Sequence, residues 1–379
     1  MGRKLATIRK VENIRPIDGA DKIEQCNIDG WNVVIQKGLY QEGDLAIYIE
    51  IDSLLNRFNP AFESMKDRGY KVKTIKLRGV LSQGMLFPLS IIANDINIDC
   101  LCVGEDLTDF LKIVKFEEEE DANEHLLITV ENKEQSLFKR LLGKILKEEK
   151  EVYGKGGFPS FVKKTEAERL QNDKSVLNIV PRWIITEKLD GTSYTYVYSN
   201  KKTLFGKEKE YICSRNLRIS PNSKDSLYVK ITEQNKLKEY AKHVINTIQN
   251  EYSSKIYSIA VQGEILGKKI QGNKYNINTN RNELFLYGIT LYDKNNNIID
   301  VLSPFAIKYK IGSIIEVVPI IDVLSLNTME EALKKSNIQS NLNKDTIAEG
   351  IVIYGKKPSS DIYSKYKVIN PEFLLKHKI

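Results

Sequence analysis

The sequence predicts an α+β protein in which a small β-barrel precedes a larger mixed domain. Three observations carry this expectation. Residues 1–115 hold five short runs rich in Ile, Val and Tyr, with partial two-residue alternation and turn signals between them. A charged stretch without strand patterning follows. The remainder combines apolar strands with segments of helical periodicity.

The five candidate strands are 4–14, 22–28, 31–36, 45–51 and 71–77. Pro16-Ile17-Asp18-Gly19, Asp29-Gly30, Glu42-Gly43-Asp44 and Asn59-Pro60 separate them. Asp29-Gly30 is a strong hairpin signal, because both residues tolerate the positive φ of a tight two-residue turn. Five short strands in this length suit an OB-type barrel over residues 1–115. The stretch from Gly19 through Trp31 to Ala46 resembles tRNA-binding OB domains, and the run Lys73 to Gly84 sharpens the likeness. Lys71, Lys73, Lys76 and Arg78 have the spacing to track a phosphate backbone, although an ordinary solvated strand face has the same composition.

Residues 116–157 read as a charged linker. The acidic run 117–121 suits a solvated loop. Residues 136–150 carry Leu137, Phe138, Leu141, Leu142, Ile145 and Leu146 mainly on one face, as in an amphipathic helix packed on a domain. Gly154-Lys155-Gly156-Gly157 then looks like a flexible joint. Within the third part, 158–379, helices are expected at 226–249 and 329–336.

The chemistry concentrates in this third part. Glu187-Lys188-Leu189-Asp190-Gly191-Thr192 follows the β-rich run Trp183-Ile184-Ile185-Thr186. A lysine so placed stands at the end of a rigid strand, where its amine can attack the α-phosphate of a nucleotide. The K-x-D-G pattern alone is weak. A free lysine is almost wholly protonated at neutral pH, so nearby positive charge and desolvation are needed to release the amine. A bound triphosphate also calls for cations, carboxylates for a metal and an aromatic surface for the base.

These residue types follow in order. Arg215 lies in a polar segment after a strand-like stretch. Glu264 sits in an apolar strand between Gly263 and Gly267. Phe285 and Tyr287 share one face of a strand, because strand side chains alternate. Glu349 opens another strand, and Lys365 and Lys367 share a face of a late one. Each has a plainer reading: a solvated strand end for Glu349, a wet strand face for the lysines, core for the aromatics. The ordered set is much harder to obtain by accident.

The set resembles the covalent nucleotidyltransferases, the ATP-dependent ligases and mRNA capping enzymes, and most of all RNA ligases. Gly263-Glu264-Ile265-Leu266-Gly267 with Ile270-Gln271-Gly272 is similar to the third RNA ligase motif. Phe158 to Glu166, with Glu168-Arg169 and Gln171-Asn172, is similar to the segment approaching the nucleophile. With the front domain, the chain looks like nick-sealing RNA ligases that carry an N-terminal OB domain. The resemblance implies a ligase-type nucleotidyltransferase domain in which Lys188 is the nucleophile and carries AMP. It places Glu187 beside the adenine, Arg215 and Glu264 at the ribose and phosphates, and Tyr287 or Phe285 on the purine. Glu349 would hold Mg²⁺ or Mn²⁺, and Lys365 and Lys367 would contact the phosphates and help keep Lys188 neutral. Ser193 stands where some RNA ligases carry Asn, which leaves a nucleic-acid contact there open. Gly288 replaces an Asp found in many relatives.

The resemblance implies an ATP-dependent enzyme acting on RNA or an RNA-containing nicked duplex, with lysyl-AMP and RNA-adenylate as intermediates and RNA repair as its purpose. The OB domain would contact nucleic acid or fold over the ATP pocket and orient pyrophosphate. A DNA ligase, a capping guanylyltransferase and a non-catalytic OB nucleic-acid-binding protein are the rivals. The sequence ends at Ile379 soon after the Lys365/Lys367 motif, where DNA ligases and capping enzymes continue into a further OB domain; this favours the RNA ligase.

Composition agrees with a globular protein of two domains: 41% hydrophobic and 28% charged residues, with enough length for two cores. A net charge of +7 is compatible with nucleic-acid binding. Cys26, Cys100, Cys102 and Cys213 form no zinc spacing, and His125, His243 and His377 are scattered, so neither structural zinc nor a disulfide framework is expected. No run reaches membrane-spanning length and no signal peptide is evident, so a monomer in a reducing intracellular compartment, without membrane or obligate protein partner, is expected.

Overall fold

A computed structural model describes residues 3–116, 153–155, 157–164, 166–201, 208–277, 281–360 and 362–377. The expected acidic loop and amphipathic helix of the linker lie outside the described residues.

The front domain is a barrel of short antiparallel strands. Ala6–Lys10 and Met85–Pro88 flank the central strand Leu45–Ile49. Glu12–Pro16, Ile23–Ile28 and Trp31–Gln36 form a meander. The first expected strand is therefore two, broken at Val11, whose buried side chain belongs to the core. Asp29 and Gly30 turn the meander with φ of 49° and 90°, the twist that a two-residue hairpin needs. Trp31, Val33 and Ile35 alternate inward. Gln83 N donates to Asn32 O at 2.7 Å and Val34 N to Ser82 Oγ at 2.9 Å, joining the meander to the end of the hairpin Ile75–Leu77/Val80–Ser82. A small sheet, Val114–Lys115/Ser53–Leu54/Lys71–Val72, completes the domain.

Two sheets build the larger, C-terminal part. A seven-stranded sheet runs in the order Gly154–Lys155, Leu217–Ile219, Lys209–Cys213, Thr192–Ser199, Ser258–Leu266, Glu283–Tyr292 and Ile298–Leu302. The expected joint at Gly154 is thus partly a paired strand, because Gly154 and Lys155 add to the edge strand Leu217–Ile219. A five-stranded sheet runs Glu168–Arg169, Tyr363–Ile369, Gly350–Lys356, Trp183–Glu187 and Ile320–Leu324.

The outer face of the larger sheet packs on helices Leu227–Gln234 and Leu237–Ile248. One helix was expected over 226–249; the chain breaks at Asn235-Lys236, where Lys236 takes a left-handed φ of 47°. Leu237, Tyr240, Ala241, Val244, Ile245 and Ile248 form the buried stripe of the second helix. Each large side chain in it contributes roughly 1.5–3 kcal/mol by burial. Helix Met329–Ser336 forms as expected and begins at Thr328, whose hydroxyl accepts from Glu331 N. It covers the smaller sheet.

The barrel is docked on the larger part. Ile369 and Leu374, from the last strand and the helix Pro371–His377, join the barrel cluster containing Trp31, Val33 and Tyr48. Arg169 pairs with Asp52 at 2.9 Å, and its guanidinium lies 5.4 Å from the Trp31 ring. Between the two sheets Leu189, Leu266, Tyr275, Phe285 and Val318 form a separate cluster, which lines the site.

Candidate active site

Trp183–Glu187 is fully buried between Gly350–Lys356 and Ile320–Leu324, so the backbone delivering Lys188 is rigid. Its ladder with Gly350–Lys356 ends at Glu187–Ile351, and Lys188 N then donates to Gly350 O at 2.9 Å. This puts Glu349 beside Lys188, and the amine lies 2.5 Å from Glu349 Oε2.

Glycines allow the close approaches. A Cβ on Gly191 would stand 2.3 Å from Ile265 O, so only glycine lets the turn after Lys188 lie against the Glu264 strand. Gly191 N donates to Glu264 Oε1 at 3.2 Å. At Gly350, φ is 146° and a Cβ would meet Val368 O at 2.2 Å.

The remaining expected residues close the site. Val352 pairs with Lys367 and Tyr354 with Lys365, so both lysines leave the same face of one strand. Lys365 Nζ is 5.5 Å from the Tyr287 ring centroid. Phe285 is buried in the cluster between the sheets, while Tyr287 is more accessible and its hydroxyl lies 3.2 Å from Ser193 Oγ. Ser193 therefore faces the aromatic wall. Arg215 reaches Glu166 at 3.2 Å, and Lys367 and Lys115 reach the same carboxylate at 3.4 Å. Glu187 is buried, and its Oε2 accepts from Asn341 N and Nδ2 at 2.8 and 3.1 Å.

Electrostatics divide the site into acidic and basic sides. Burial pushes Glu264 up to about 8; Lys188 opposes the rise, and Glu349 and Asp190 add to it. Burial raises Glu349 also, against the attraction of Lys188. Burial lowers Lys365 to about 8. Burial and the neighbouring Arg169 bring Lys367 to about 7 despite Glu166, with Lys188 also repelling it. For Glu166, burial is outweighed by Lys367, Lys115 and Arg215, and its carboxyl falls to about 2.

Lys188 corrects one expectation. Burial lowers its pKa, but Glu349 and Glu264 outweigh this and the net shift is upward. Lys365 and Lys367 do not hold the amine neutral in this arrangement, because the carboxylates dominate. The repulsion falls instead on Lys367.

The RNA ligase family model matches residues 181–369. The chain belongs to the RNA ligase family. An OB-fold domain model matches residues 5–89 of the ligase. Among curated proteins none matches it. Solved structures do. A glutamate-to-alanine variant of Naegleria gruberi RNA ligase with ATP and Mn is 28% identical, with 100% of both chains covered and a TM-score of 0.76. A lysine-to-methionine variant with AMP and Mn is 29% identical over 99% of each chain, with a TM-score of 0.73. The same enzyme with PPi is 29% identical over 100% of this chain and 99% of that one, with a TM-score of 0.72.

Residues that the sequence left without a role also stand beside the expected ones. Glu166 and Arg169 stood in the segment approaching Lys188, but their cross-domain partners are invisible in one dimension. Lys274 pairs with Asp190 at 2.8 Å, and Tyr275 O–H donates to Lys188 O at 2.7 Å. Both follow the turn Gln271–Asn273, and no local pattern marks them. Of the four basic residues expected at nucleic acid, Lys71 and Lys73 lie 4.1 and 5.6 Å from the Phe116 ring centroid. Lys76 and Arg78 are exposed on the following hairpin. Among the described residues no helix is long and apolar enough to cross a membrane.

Proposed function

We propose that this RNA ligase seals breaks between a 3′-hydroxyl and a 5′-phosphate, chiefly nicks in duplexes, through a lysyl-AMP intermediate formed from ATP, in the service of RNA repair. The amine of Lys188 attacks the α-phosphorus, a P–N bond forms and pyrophosphate leaves. AMP then passes to the 5′-phosphate, and the 3′-hydroxyl displaces it. The observation that carries this reading is the position of the Lys188 amine, at the end of a buried strand, 2.5 Å from Glu349.

In this reading Tyr287, with Phe285 behind it, forms the base wall, and Glu187 lies beside the adenine. Glu264 and Arg215 serve the ribose and phosphates, while Lys365 and Lys367 offset phosphate charge. Residues 1–115 form the OB domain, 116–157 the connection and 158–379 the adenylation domain of a monomer.

The acidic side suits a divalent cation. Burial raises both carboxyls, with Glu349 and Asp190 adding to the rise at Glu264 and Asp190 to that at Glu349, a cost that bound positive charge relieves. Among the described residues no cluster of three or more His, Cys, Asp or Glu is arranged to hold a metal alone. This agrees with Mg²⁺ or Mn²⁺ held by Glu349 together with water and phosphate oxygens. When bound, such an ion would compete with the Lys188 ammonium for Glu349, favour the free amine and offset phosphate charge.

A panel of nicked duplexes tests the reading. Duplexes with a ribonucleotide at the 3′-hydroxyl side are expected to be sealed with ATP and Mg²⁺, and all-DNA nicks more slowly. Equal sealing of all-DNA nicks would favour a DNA ligase, and nucleotide transfer from GTP alone a capping enzyme.

A further inference from the structure

Where the ladder between the Lys188 strand and the Glu349 strand runs out, a side chain from neither strand makes the next cross-link. Tyr275 O–H donates to Lys188 O at 2.7 Å, and the same oxygen accepts from Glu349 N at 3.1 Å. The side chain is 1% exposed, so water does not compete for these bonds. Burial pushes its phenol far above the usual range, which keeps it a neutral donor.

We propose that Tyr275 is a positioning residue for adenylyl transfer: its hydroxyl fixes the Lys188 backbone against that of Glu349 and so sets where the amine meets the α-phosphate. The inference rests on the lysyl-AMP reading above and adds a residue to it. Tyr275 touches neither the amine nor the Glu349 carboxylate; it acts through their main chains.

Its surroundings suit a fixed strut. The ring belongs to the cluster with Leu189, Leu266, Phe285 and Val318. It also lies 6.4 Å from Phe373 at 45°, in the terminal helix whose Leu374 joins the barrel cluster. The preceding Lys274 holds Asp190 at 2.8 Å. Consecutive residues of one loop thus grip the motif on both sides of Leu189. A bridging water would satisfy the same backbone groups but could not tie them to the opposite sheet.

In the step concerned, the Lys188 Nζ–Pα bond forms while the Pα–O bond to pyrophosphate breaks. An amine displaced by about 1 Å can lose roughly a hundredfold in such a reaction without weakening nucleotide binding. Joining a preadenylylated nick does not use Lys188 as nucleophile, so it separates positioning from general damage.

The test uses full-length wild type, Tyr275→Phe, Phe373→Leu and Lys188→Ala, with single-turnover labelling by α-labelled ATP and Mg²⁺ over a range of ATP concentrations. Sealing of a preadenylylated nicked duplex and near-UV circular dichroism are measured alongside. Tyr275→Phe is expected to lower the maximal labelling rate about ten- to a hundredfold. Half-saturating ATP is expected to stay within about threefold and sealing to fall less than labelling. Phe373→Leu, which loosens the ring but keeps the hydroxyl, is expected to lose less. Labelling within about twofold of wild type, equal losses in both reactions, or an equal loss in Phe373→Leu would overturn the assignment. Labelling of Lys188→Ala at the wild-type rate would overturn the lysyl-AMP reading and this inference with it.

Discussion

The Lys188 amine and the Glu349 carboxylate form an ion pair 2.5 Å long at the open end of a buried two-strand ladder. Lys188, the proposed nucleophile, is therefore held as an ammonium by the residue proposed for the metal. Each must leave the other before the chemistry begins. Replacing Glu349 by Ala is expected to slow lysine adenylylation by at least about a hundredfold, since a metal supplies several kcal/mol of charge stabilisation. Single-turnover labelling checks this, and a rate near wild type would remove Glu349 from the site.

Much of this arrangement was legible in one dimension. The partial alternation of the strand at 31–36, the Asp29-Gly30 turn and the helix at 329–336 are local signals, and the structure follows them. The shared face of Lys365 and Lys367 follows from strand geometry alone. The helix break at Lys236 carries no proline or glycine to mark it; its trace in the sequence is the polar run Thr232 to Lys236 between Ile231 and Leu237. The charge state of Lys188 depends on distances between residues far apart in sequence, and Tyr275 enters from a loop with no pattern of its own. Residues on one strand could be read in advance; bonds between the two sheets could not.

Glu264 gives the fold a pH dependence of known sign. Its carboxyl is raised from an ordinary value of 4.5 to about 8, so the folded chain binds its proton more tightly than the unfolded chain. Its contribution is fully present below about pH 4.5 and is lost as pH rises toward 8. Glu264→Gln, free of that loss, is expected to gain a few degrees in melting temperature over wild type between pH 5 and 8, measured with chelator and without nucleotide. A difference independent of pH would contradict the assignment.

Arg169 secures the barrel. Its side chain is 6% exposed, Asp52 accepts its Nη2 at 2.9 Å, and its Nε and Nη1 are buried with no hydrogen-bond partner among the described residues. Breaking a fully buried pair costs about 3–5 kcal/mol; Asp52 retains some solvent, so Asp52→Ala is expected to cost about 1–3 kcal/mol. Denaturant unfolding measures this, and an unchanged midpoint would show that the pair contributes little to docking.

Lys76 and Arg78 are exposed on the barrel hairpin, where the sequence expects them to meet phosphate. Replacing both with Ala is expected to weaken binding to a nicked RNA duplex uniformly across sequences. The slope of log K against log salt should fall by about 2. Lys71→Ala is expected to change that slope less, because its ammonium lies over Phe116. Fluorescence anisotropy over a salt series distinguishes these outcomes, and an unchanged slope in the double variant would place the nucleic acid elsewhere.

Whether Lys188 carries AMP decides between this mechanism and its rivals. The most direct measurement is labelling with α-labelled ATP or α-labelled GTP and Mg²⁺ on a denaturing gel, with Lys188→Ala alongside and the intact mass of each protein recorded beforehand to detect AMP already bound. The account predicts a covalent label from ATP that is absent from Lys188→Ala. An equal label on Lys188→Ala, or no label on wild type whose mass shows no bound AMP, would contradict it.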